Sequence, residues 1–268
     1  MRAYDFEYDS LRLSDFGMTL CSFDSLGVET ISNGSEITFN TVSTLSGTRH
    51  ELTSVEFGDY LTATLQICNN LCDDPTEVIS IEKSRDIMRW LNRKSFHKFK
   101  LIDYNGELSG IYFEASFNVS KVEINGMIVG FELKMFTNRP FAIAEPVTVK
   151  LDAEAGEIVN IYNKSDDEGY IYANTKITVK EDGNLTIINH MEDRKMTINN
   201  CVANEVITID YPMISSSLGD ERKTKIQNDF NWVFFRLAST FKSRLNEIET
   251  TLPCSIELTY SPIVKVGV

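Results

Sequence analysis

The residues best suited to chemistry in this chain are two thiols four positions apart, Cys68 and Cys72. A structural zinc site needs four nitrogen or sulfur ligands. No second cysteine or histidine pair lies nearby, and His50, His97 and His190 are scattered. The pair therefore reads as incidental thiols on a loop after a strand. Carboxylates are the next candidates. Asp73-Asp74, Asp166-Asp167-Glu168 and Asp220-Glu221 suggest acid/base pairs or a calcium loop. Adjacency in sequence does not set carboxylates across a cleft, and none of the runs has the spaced pattern of a calcium-binding loop. Lys164 to Gly169 reads as a charged hairpin turn. Gly-x-Ser-x-Gly, a phosphate-binding glycine loop and His-Glu-x-x-His are all missing. The residues nominate no catalytic, metal or cofactor site, and the expected function is not enzymatic. A glycoside hydrolase or esterase would need a convergent carboxylate pair.

One aromatic cluster offers recognition rather than reaction: Phe230, Trp232, Phe234 and Phe235. On a strand, Trp232 and Phe234 would share a face and Phe235 would oppose them. Bulky rings usually fill a core, which is the expectation here. The alternative is a carbohydrate-binding module, which would expose Trp232 as a platform.

The elements that must carry these residues are mostly strands. Apolar and polar residues alternate in Ile37–Val42, Tyr60–Ile67, Ile111–Val119 and Ile128–Phe136, with many β-branched and aromatic side chains. Asn125-Gly126 lies between two such runs and predicts a tight hairpin. One segment has helical spacing instead. Ile87, Trp90 and Leu91 form an amphipathic stripe, predicting a helix over about 82–94. Ser80 or Ser84 is its cap. Pro140 and Pro146 interrupt the pattern and mark a boundary, dividing the chain into 1–144 and 145–268. Beyond it, short strands resume at regular spacing through Trp232–Leu237 and Ser255–Tyr260, the pattern of a β-sandwich.

The 268 residues carry a formal net charge of −13, which opposes binding to nucleic acid or to an anionic membrane surface. The N-terminal residues lack the apolar run of a signal peptide, and no stretch approaches the ~20 apolar residues of a membrane span. Synthesis in the cytoplasm is expected. Five cysteines at irregular spacing fit a reducing compartment.

In order and spacing these features resemble the distal tail protein family of long-tailed phages, often called Dit. Ile87–Leu91 leading into Leu101-Ile102-Asp103 resembles the family's helix and "L-x-D" strand. Tyr112-Phe113-Glu114-Ala115 and Pro140-Phe141-Ala142 resemble the strand and junction of its first domain. In the second half, Ala173-Asn174-Thr175-Lys176-Ile177 has Thr175 where the family favours proline. Leu185–Asn189, Ile207–Asp210 and Ile256–Pro262 resemble later strands. Leu245-Asn246 keeps an asparagine where the neighbouring glycine is missing. The resemblance implies a mainly β fold: an N-terminal β-sandwich-like domain with one helix, then a galectin-like β-sandwich. It implies a structural role at the virion tail tip, as a hexameric ring joining the tail tube to tail-associated and receptor-binding proteins. It also implies that a hairpin arm near Ser43–Leu52 wraps a neighbouring subunit, with Leu45, Arg49 and Leu52 as candidate interface residues.

Overall fold

The computed structural model describes residues 3–23, 35–43, 50–72 and 78–266. The fold is mainly β, and the chain forms two compact units: 1–144 together with 264–268, and 145–263.

The first unit contains β1 (Ala3–Tyr8), β2 (Leu11–Arg12), β3 (Met18–Cys21), β4 (Ile37–Ser43), β5 (His50–Phe57), β6 (Thr62–Asn69), α1 (Ile81–Leu91), β7 (His97–Asp103), β8 (Ile111–Ile124), β9 (Met127–Thr137) and β10 (Ala142–Ala144). Most of them form one antiparallel sheet in the order β2-β1-β7-β8-β9-β6-β3, with β10 on β8. Alternation explains its buried face: Phe113, Ala115 and Phe117 of β8 turn inward with Phe131, Leu133 and Met135 of β9. Asn125 and Gly126 both adopt left-handed conformations and join β8 to β9, as the hairpin signal requires.

Helix α1 covers this core with Ile87, Trp90 and Leu91. Ser80 is the cap, its Oγ accepting a hydrogen bond from the Lys83 N–H at 3.1 Å, while Ser84 is buried within the helix. The helix stops at Leu91, short of the expected Lys94, because Arg93 leaves it to pair with Asp9 and lie against the Tyr8 ring. The Trp90 indole stacks on Phe6 and Phe16, and its N–H donates to the Tyr8 carbonyl at 3.0 Å. A large ring can be buried there because its one polar atom is satisfied. Val264 and Val266 also pack on this core.

The second unit contains β11 (Val147–Ala153), β12 (Ile158–Tyr162), β13 (Gly169–Ile171), β14 (Asn174–Val179), β15 (Gly183–Asn189), β16 (Arg194–Cys201), β17 (Val206–Asp210), β18 (Met213–Ser216), α2 (Asp220–Asp229), β19 (Leu237–Ser239), β20 (Leu245–Thr250) and β21 (Cys254–Tyr260). Two sheets, β11-β21-β14-β17-β18 and β12-β20-β15-β16, face each other across one core. Ile177, Ile207 and Ile256 come from the first sheet; Ile161, Ile187 and Ile248 come from the second. This is a β-sandwich.

Two departures from the sequence reading lie here. Helix α2 buries only Ile226 deeply among its described side chains, so its sequence carries no apolar stripe. It is held by charge instead. Glu205 is fully buried and accepts from the Val202 N–H, the Ser216 hydroxyl at 2.6 Å and Arg222 Nε at 2.9 Å. Arg222 also bonds Asp229 and the Asn199 carbonyl. The second departure is Trp232–Leu237, which is no strand; pairing begins only at Leu237. Asn231 explains this. Its amide donates to the Lys195 carbonyl and accepts from the Val233 N–H, bending the chain so that Trp232 takes a left-handed conformation, φ 58°.

Candidate assembly surface

Strands β4 and β5 pair with each other and, among the described residues, with no other strand. Across the ladder Ile37 faces Phe57, Phe39 faces Val55 and Thr41 faces Leu52, so these side chains share one face. A bulge between Asn40 and Thr41 leaves Thr53 extra, and its hydroxyl donates to the Asn40 carbonyl at 2.8 Å. The five apolar members of the face are 39–64% exposed. The opposite face is mainly polar, with Asn40 donating to Ser54 and Ser54 to Glu56, and Val42, 56% exposed, is its one apolar member among the described side chains. The hairpin thus has one mainly apolar face, which stays largely exposed among the described residues.

Its base is fixed to the first unit. The Gly58 N–H donates to the Glu36 carbonyl, and the Ser35 N–H to that of Pro140. A Cβ on Gly58 would meet the Ser35 hydroxyl at 2.5 Å, so a larger residue where the strands leave the body would have to turn that side chain aside. Phe57 packs edge-on against Phe141, and Lys265 lies over both rings.

Of the candidate interface residues, Leu52 lies on this apolar face, while Leu45 and Arg49 lie outside the described residues. The residues that sequence reasoning missed are Ile37, Phe39, Val55 and Phe57. Their signal was present as period-two alternation on both sides of Ser43–Leu52, but such alternation normally marks a strand lying on a core. A two-stranded ribbon with an exposed apolar face is marginal alone, and what this geometry can do is bind protein.

A second exposed apolar feature lies on the sandwich. Tyr170 meets Tyr172 edge-on, Tyr172 stacks on Tyr211 at 4.0 Å, Tyr211 meets Phe234, and Phe234 meets Trp232. Phe230, Phe234 and Phe235 are buried as expected. Trp232 is not: it is 56% exposed because the Asn231 bend turns it out of the core. The ridge is braced from below by Asn189 and Asn246, both buried. Asn189 donates to Asn246 Oδ1 and to the Arg236 carbonyl, and Asn246 bonds both the N–H and the carbonyl of Ala238.

The reactive candidates do not converge. Cys68 sits on β6 beside Cys21 rather than with Cys72; burial and a hydrogen bond with Cys68 push the Cys21 thiol above its ordinary range. Asp73-Asp74 lies outside the described residues. Lys164 to Gly169 is a crossing loop, not a hairpin turn, since β12 and β13 pair with different strands, and Asp166 in it pairs with Arg244. Among the described residues no group of three or more His, Cys, Asp or Glu could hold a metal ion. Among them, too, no helix is long and apolar enough to cross a membrane.

Residues 1–139 match the family described as "Phage tail protein N-terminal domain", and residues 141–260 match "Phage tail C-terminal domain". No curated protein matches the chain. Among solved structures it is similar to the Dit protein of SPP1, described as a paradigm of the hub adsorption apparatus in phages infecting Gram-positive hosts. The TM-score is 0.64 over 96% of this chain and 98% of that one, at 10% identity, a likeness of fold.

Proposed function

We propose a ring-forming role at the tail tip, on the premise that this chain belongs to the phage tail protein family and is a structural component of the virion tail. Copies assemble head-to-tail into a hexameric ring that continues the tail tube. The ring carries the tail-associated and receptor-binding proteins, has no catalytic role, and uses the sandwich of the second unit as a galectin-like domain. Association with other tail components follows from the family; the hexamer and these partners are our reading.

The observation that carries it is the exposed apolar face of the β4–β5 arm. Covering its five apolar side chains is worth on the order of 10 kcal/mol before the entropic cost of association. We take its receptor to be a different surface on the next copy. Contacts of that heterologous kind close into rings when the rotation between copies closes.

The test compares the full chain with the double variant Phe39→Asp and Val55→Asp by light scattering and electron microscopy, alone and with tail tube protein. The expected result is annular hexamers for the natural chain and folded monomers for the variant. Monomers of the natural chain under both conditions, or intact rings in the variant, would overturn the reading.

A further inference from the structure

We propose that the aromatic ridge of the sandwich is a binding site for neutral, hydroxyl-rich carbohydrate, with Trp232 and Tyr211 as the stacking platforms. This rests on the second unit alone and is independent of ring formation.

A pyranose presents one face of C–H groups and a rim of hydroxyls. Recognising both takes an exposed ring beside fixed, planar polar groups. The ridge supplies each. Tyr170, Tyr211 and Trp232 are 57%, 49% and 56% exposed, and ring contacts through Tyr172 and Phe234 hold them in one series. Beside them the Arg236 guanidinium lies 3.8 Å over the Tyr170 ring and is gripped by both carboxylate oxygens of Glu192. Arg194 Nε is pinned to the Phe234 carbonyl at 2.7 Å. These groups are ordered before any ligand arrives, which lowers the cost of binding.

The backbone points the same way. A bulky residue in the left-handed region is uncommon, and such strain concentrates at functional sites. Asn231 holds Trp232 there with its ring turned to solvent.

Local charge favours a neutral ligand. Arg236 beside the rings is neutralised by its ion pair with Glu192, and Arg194 and Lys195 of β16 lie in a stretch that also carries Asp193, on a chain whose net charge is −13. A charged polymer would find little excess of either sign. A protein partner is better matched by the arm, whose apolar face carries no charged side chain among the five that form it.

The experiment incubates the full chain with an array of neutral oligosaccharides of glucose, galactose and N-acetylglucosamine, then titrates the strongest hit by calorimetry. Trp232→Ala and Tyr211→Ala are each expected to bind about tenfold more weakly with an unchanged unfolding transition. The double arm variant is expected to bind as the natural chain does, which separates this result from failure of ring assembly. If Trp232→Ala proves unstable, Tyr211→Ala decides. Retention of no neutral oligosaccharide, retention only of charged ones with strong salt dependence, or full binding by both variants would overturn the proposal.

Discussion

The arm carries its apolar side chains on two strands that, among the described residues, pair with no third strand, and only Phe57 at its root packs against rings of the body. The ridge carries its rings on bends and short strands backed by hydrogen-bonded asparagines. Both expose apolar matter, so exposure alone does not say what either one binds. The arm offers aliphatic and phenyl groups in a flat strip and gains by being covered. The ridge interleaves rings with a fixed, partly exposed Arg236–Glu192 pair, and it gains by hydrogen bonding as well as by contact. Apolar composition and polar neighbours together separate an assembly surface from a recognition surface.

Substitutions in the two regions should differ sharply in their effect on stability. Glu205→Ala leaves Arg222 of α2 without its buried partner. The second unit should lose about 3–5 kcal/mol, read as an early unfolding phase in guanidinium. The arm and first unit should keep their transition. A loss confined below about 1 kcal/mol would show that the bracing of the sandwich is weaker than its geometry implies.

Trp232→Gly removes the ring and relieves a left-handed conformation that costs roughly 1–2 kcal/mol for an L-residue. Its lost contacts with Phe230 and Phe234 offset that gain, and the variant should unfold within about 1 kcal/mol of the natural chain. A drop well beyond that in calorimetric melting would make Trp232 a packing residue.

Leu52→Ser lies at the other extreme. Leu52 is 56% exposed on the arm, so monomer stability should change by less than about 0.5 kcal/mol. Ring assembly should weaken measurably by light scattering. A stability loss with unchanged assembly would reverse the assignment of the arm.

The strand rhythm was legible in the sequence wherever one face lies on a core. Ile111–Val119 and Ile128–Phe136 fall within β8 and β9, and the stripe of Ile87, Trp90 and Leu91 falls within α1. Period-two alternation records only that a strand has two unlike faces. It does not record what covers the apolar one, so Ile37 and Phe39 read as part of an ordinary half-buried strand. Helix α2 was hidden for the opposite reason: Glu205 and Arg222, seventeen positions apart, hold it through a contact with no local pattern. Trp232 was misread because Asn231 acts through the distant Lys195 carbonyl as well as through its own backbone.

The packing of Val264 and Val266 on the first unit sets an order in time. Translation delivers residues 1–144 first, yet those two valines emerge only after the whole sandwich has been made. The unit begun first is therefore completed last. A nascent or prematurely terminated chain would lack Lys265 over Phe57 and Phe141 at the root of the arm, the anchorage present in finished chains.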